Sequence, residues 1–191
     1  VLIELFDQAA DLTKAVIDEI YQAGGKPFMR IYDHKLSRSL LMGLDRDLAE
    51  MMALHDRELM KEMDVYIGIR ASENTSELSD IPQSSLDTFM KYYIKPVHLD
   101  ERVPHTRWVV MRYPNDSMAQ MSRMSTEAFE DFFFEACLVD YERMWKCLGP
   151  LKEIMERTEN VNIKGPGTDL SFSIRNIPVV PCHGSNNIPD G

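Results

Sequence analysis

Four short runs of aliphatic, β-branched and aromatic residues recur along the chain: VLIELF at 1–6, KPFMRIYD at 26–33, VYIGIRAS at 65–72 and TRWVVMRYP at 106–114. Segments with helical spacing separate them. In DQAADLTKAVIDEIYQAGG, Leu12, Ala15, Val16, Ile20 and Ala23 share one face, and Gly24-Gly25 ends the helix. From His34 to Asp64 the apolar positions Leu40, Leu41, Leu44, Leu48, Met51, Met52, Leu59 and Met63 predict one further helix. A polar loop over 73–85 follows, then a helix over 86–97. Strands that alternate with helices can be parallel, because each crossover returns the chain to the same end of the sheet. With right-handed crossovers the sheet is covered on both faces. The expected fold is α/β, a three-layer domain with a mainly parallel sheet.

The pattern changes after Pro114. NDSMAQMSRMS connects to a predicted long helix, TEAFEDFFFEACLVDYERMWKCL, with Phe129, Phe133, Ala136, Met144, Leu148 and Leu151 as its buried stripe and Asp140 at the stripe's edge. Gly149-Pro150 should kink or break it before 151–157 continues. NVNIKGPGTDLSFSIRNIPVV alternates in period two and reads as a β-hairpin, with a turn over 165–169. The expected organisation is a single α/β domain over 1–191, whose hairpin and terminal Pro-Asp-Gly turn, 160–191, lead toward a further domain.

Composition excludes several functions. Lys plus Arg is 21 against 31 Asp plus Glu, a formal charge of −10, which repels nucleic-acid phosphate and anionic lipid. No apolar run reaches the roughly 20 residues of a membrane span, and no signal peptide is visible, so neither a nucleic acid nor a membrane is an expected partner. Three cysteines, Cys137, Cys147 and Cys182, form no disulfide framework and point to a reducing, cytoplasmic setting.

Catalytic signatures are missing: there is no HExxH, CxxC, GxGxxG, phosphate-binding GxxxxGK[ST] or GxSxG. His55 with Glu58 fits a solvated helix face, and His98 and His105, flanking an acidic loop at Leu99-Asp100-Glu101-Arg102, read as surface residues. In an open α/β sheet the ligand crevice lies beyond the carboxyl ends of the strands, where Asp7, Asp33, Arg70 and Asn115-Asp116 stand. Such residues also cap helices and form turns. On the residues alone, a stand-alone small-ligand binding module and a protein-interaction domain, its thirteen methionines filling the core or forming an adaptable surface, stay open.

The last thirty residues narrow this. Gly167-Thr168-Asp169-Leu170-Ser171-Phe172-Ser173-Ile174 and Asn187-Ile188-Pro189-Asp190-Gly191 resemble the GTDL-x-F-x-I and N-x-PDGE motifs of thermophilic-type metallo-aminopeptidases, the aminopeptidase T, aminopeptidase S and PepS family. Arg107-Trp108, Tyr113-Pro114, Ala119-Gln120, Met124-Ser125 and the Glu127/Phe129/Phe132 helix are similar in order and spacing. The resemblance implies the N-terminal, cleft-shaping domain of an aminopeptidase that uses two divalent ions (zinc, cobalt or manganese) on peptide substrates and forms a homodimer. The family's first metal carboxylate follows PDG, so no metal ligand and no catalytic residue falls within these residues. Asp169, Arg175, His183, Asn187 and Asp190 are the expected cleft-side residues.

Overall fold

The computed structural model describes residues 1–189. β1 (Leu2–Asp7), β2 (Phe28–Tyr32), β3 (Val65–Ala71) and β4 (Arg107–Arg112) form where the four apolar runs lie. They pair in parallel, and a fifth short strand, Asn187–Ile188, adds beside β4. The N-terminal part and its sheet are therefore α/β as expected. The fifth strand was not anticipated: two residues are too few to show a period. The antiparallel hairpin joins β5 (Asn160–Gly165) to β6 (Thr168–Ser173), and the two-residue strand Asn187–Ile188 is β7. Its turn is shorter than expected, with Gly165 already opposite Thr168 and Gly167 at φ 71°.

Strand order in the sheet is β2-β1-β3-β4-β7. The chain first steps outward from β1 to β2, then returns past β1 to β3. The direction of winding thus reverses between β1 and β3, and the crevice at their carboxyl ends is the topological switch point.

Alternation along the strands divides the core in two. Ile3, Leu5 and Ile69 face α1 (Ala10–Gln22), whose Ile20 is buried among them. Leu2 and Tyr66 face α3 (Arg46–Lys61) and a π-helix (Met90–Arg102), burying Ala53, Met60, Tyr93 and Val97.

The helices depart from the sequence expectation at several places, among them a short helix over Asp116–Met121 inside the expected connection. His34 to Asp64 is two helices, α2 (His34–Met42) and α3, because Asp45 caps a fresh start by accepting the Leu48 N–H at 2.9 Å. The long helix after Ser125 likewise divides into α7 (Thr126–Cys137) and α8 (Tyr141–Glu156), with Asp140 accepting the Arg143 N–H. Asp140 is a cap rather than the edge of a stripe. Pro150 does not break α8, and the expected stripe fails beyond Phe133: Ala136 and Leu151 are exposed, and Cys137 is buried instead. Finally, the segment 99–102 is not a loop. α4 (Gln83–Phe89) runs directly into the π-helix and then α5 (Val103–His105). The Val103 N–H reaches back five residues to the His98 carbonyl, a wide winding that holds Pro96, which has no N–H to give. Met60 is the one buried methionine; Met51, Met121 and Met124 are among those exposed.

Candidate functional site

The crevice at the switch point is built by the strand ends and by the helices over one sheet face. Asp7, the last residue of β1, has φ 65°, a left-handed conformation that Asp tolerates better than most side chains. That bend turns its carboxylate onto the start of α2, where it accepts the His34 N–H at 2.8 Å and meets the His34 Nδ1 at 2.5 Å. Asp33 caps α2 through the Leu36 N–H, and Asn115 caps α6 (Asp116–Met121) while its amide donates to the Ser72 carbonyl at 2.9 Å. These are the capping roles expected of strand-end residues. Arg70 does something different: its guanidinium lies over the Phe6 ring, 4.6 Å from the centroid.

Behind the crevice runs a buried polar layer. Glu4 lies mid-strand with Leu2 and Phe6 on the face toward α3, and is 3% exposed. Its register partner in β3 is Gly68. A Cβ at that glycine would come within 3.1 Å of the Tyr66 ring and hydroxyl, so its absence lets Tyr66 lie across the strand toward Glu4. The Tyr66 hydroxyl donates to Glu4 Oε2 at 2.7 Å and the Tyr32 hydroxyl to Oε1 at 3.2 Å. Burial raises the Glu4 carboxyl above its ordinary range, more than the two phenols pull it down. Tyr32 is pushed up to about 12, first by burial and then by the Glu4 charge. Alongside, Arg30 Nη1 pairs with Asp56 Oδ1 at 2.6 Å, and the Tyr93 hydroxyl donates to Asp56 Oδ2 at 2.6 Å.

The π-helix presents Ile94, His98 and Arg102, four residues apart, to this layer. His98 is therefore not the surface residue that a loop at 99–102 would make it. Its ring meets Tyr66 and Tyr93 edge-on, and burial lowers its pKa to about 4. Arg102 is clamped between Tyr66 and Trp108, 4.8 and 4.4 Å from the ring centroids, with Nε and Nη1 buried and without an acceptor among the described residues. Between these groups and the helices is a cavity of about 300 Å³.

The residues expected on the cleft side do not line this cavity. Asp169 is exposed on β6, where it accepts from Asn162 Nδ2 at 2.9 Å. Arg175 donates to Glu159 at 2.5 Å. His183 lies tilted against Trp145, with ring centroids 4.4 Å apart and planes at 58°, and its Nδ1 is 2.9 Å from Ser185 Oγ. Asn187 pairs with Val110 in the sheet. Asp190 lies outside the described residues. The hairpin thus carries Asp169, while His183 and Asn187 lie toward the β4 edge; no hydrogen bond or ion pair joins the four among the described residues. Nor do three or more His, Cys, Asp or Glu side chains converge there to hold a metal. The donors among the described residues do not fit a dinuclear metal centre.

Comparison with known proteins adds what geometry alone does not. The family model described as "Thermophilic metalloprotease (M29)" matches residues 1–187. No curated protein matches the chain. Among solved structures, wild-type AmpT from Thermus thermophilus superposes with a TM-score of 0.68 at 16% identity, over 99% of this chain and 54% of AmpT. The likeness to AmpT is one of fold, and the chain spans about half of AmpT's length. With its sequence matched by the family model over 1–187, the chain belongs to the thermophilic metalloprotease (M29) family.

Proposed function

We propose that this domain is the N-terminal, cleft-shaping part of a metal-dependent aminopeptidase that works as a homodimer on peptides with a free N-terminus. The observation that carries the reading is the family match over residues 1–187, together with a fold that accounts for half of AmpT. On this reading the metal ligands come from another part of the full-length protein. Two divalent cations, zinc, cobalt or manganese, would activate a water and stabilise the oxygens of the tetrahedral intermediate when bound. The contribution of these residues is shape and charge: a parallel sheet, and a hairpin that offers Asp169, with Arg175 just past its end, to the substrate side.

The test is made on the full-length gene product. Metal content is measured, and hydrolysis of leucyl-p-nitroanilide is compared with that of its N-acetylated form. Hydrolysis of the free-amine substrate alone, abolished by a chelator and restored by zinc, cobalt or manganese, is the expected result. A full-length protein that binds none of the three metals, or that cleaves both substrates equally, refutes the reading.

A further inference from the structure

We propose that the cavity between the sheet and the helices at the β1/β3 switch point binds a small monocarboxylate with an apolar body, its anionic end held by Arg70 and Arg102. This stands on the cavity alone and does not rest on the peptidase reading.

The cavity's volume, about 300 Å³, is at the lower end of the range for small-molecule sites. Leu40, Leu41, Met52, Leu78, Phe89 and Ile94 make most of its wall apolar. The remaining wall carries Glu4, Arg70, His98 and Arg102. Among the described residues neither Arg70 nor Arg102 has an ion-pair partner. The carboxylates on the surrounding strands and helices are otherwise engaged. Glu4 accepts from two phenols, Asp56 from Arg30 and Tyr93, Asp7 from His34, and Glu101 from Arg57. Both guanidiniums are held in place by aromatic faces, Arg70 on Phe6 and Arg102 between Tyr66 and Trp108.

A cation taken from water without a counter-charge is destabilising unless something supplies one. Arg102 is such a cation: its Nε and Nη1 are buried without an acceptor among the described residues, and the Glu4 carboxylate, whose charge it feels, already accepts from two phenols. A planar carboxylate matches the forked N–H geometry of a guanidinium. With Glu4 on the same wall, one negative charge suits the lining better than a phosphate dianion. The apolar wall selects a hydrocarbon body. The site also lies at the position where open α/β sheets place ligands.

The full-length protein, carrying ¹³C-labelled isoleucine methyls with Ile94 assigned through Ile94→Val, is titrated with 3-phenylpropanoate. A saturable shift of the Ile94 signal is expected, with 3-phenylpropanamide, the neutral isostere, binding at least about tenfold more weakly. Arg102→Met and Arg70→Met should each weaken binding by a similar factor. Arg70 is exposed, so its variant stays informative if Arg102→Met fails to fold. An unmoved Ile94 signal, equal binding of acid and amide, or unchanged affinity in Arg70→Met overturns the proposal. Because the readout is a methyl group of this domain, it is independent of whether the protein cleaves peptides.

Discussion

His98 holds an unpaired imidazole against Tyr66 and Tyr93, where burial lowers its pKa to about 4 from an ordinary 6.5. The unfolded chain therefore takes up a proton near pH 6.5 that the folded chain refuses until about pH 4. Protonation across that window pulls toward the unfolded state. His98's favourable contribution is complete above pH 6.5 and is lost as the pH falls toward 4, by roughly 2–3 kcal/mol. Arg102 and Arg70 reinforce the effect and Asp56 opposes it. Urea denaturation of the wild type and His98→Gln above pH 6.5 and near pH 4 checks this: the gap between them should move in the variant's favour at the acid end, and a constant gap refutes the burial argument. Glu4 has the opposite sign, since its raised carboxyl makes the folded state lose stability as pH rises. Neither residue was legible as part of a site. Glu4 sits inside an apolar run, where one carboxylate looks like an irregularity, and only its register against Gly68 shows that Tyr66 can reach it. His98 reads as a surface residue because the acidic Asp100-Glu101 beyond it resembles a loop, whereas the wide helical winding carries the chain through that segment. The strand-end caps Asp33 and Asn115, by contrast, follow from local chemistry that the sequence displays.

The first four strands are legible because each is a short, mostly apolar run bounded by turn residues, and parallel pairing follows from the helices between them. The helices were merged because apolar spacing persists across a break when both sides pack. The signal that resolves them is the aspartate at each restart, Asp45 and Asp140. These two caps also differ in what they support. α3 buries Ala49, Ala53 and Met60, whereas no residue of α8 is buried. Removing a side-chain cap costs about 1 kcal/mol of helix stability. Asp45→Ala should therefore lower the global unfolding free energy by about that amount, because α3 cannot fray without opening the core. Asp140→Ala should leave the denaturation midpoint unchanged and instead speed amide exchange in the first turns of α8. A global loss in Asp140→Ala would mean that α8 is packed more firmly than its exposure indicates.

At the scale of the molecule, burial is uneven along the chain. The sheet and the helices of the first two-thirds enclose the two clusters of buried residues on either sheet face, and a third lies among the helices. Beyond Phe133 large apolar side chains face outward: Trp145 is 51% exposed, Leu170 51% and Phe172 41%. The β5–β6 hairpin packs on no other element beyond isolated contacts, and none of its residues is buried. A two-stranded hairpin without a supporting layer is marginally stable in water. If this domain shapes the cleft of a longer aminopeptidase, that apolar third is the surface against which the rest of the protein packs. Hydrogen exchange separates the cases. In a polypeptide limited to residues 1–191, the amides of 160–173 should exchange with little protection, while those of β1 and β3 exchange slowly. In the full-length protein the hairpin amides should be slowed by on the order of a hundredfold or more, equivalent to at least about 2.7 kcal/mol of added local stability. The same fast exchange in both would leave the hairpin uncovered and remove it from the substrate side, and Asp169 and Arg175 with it.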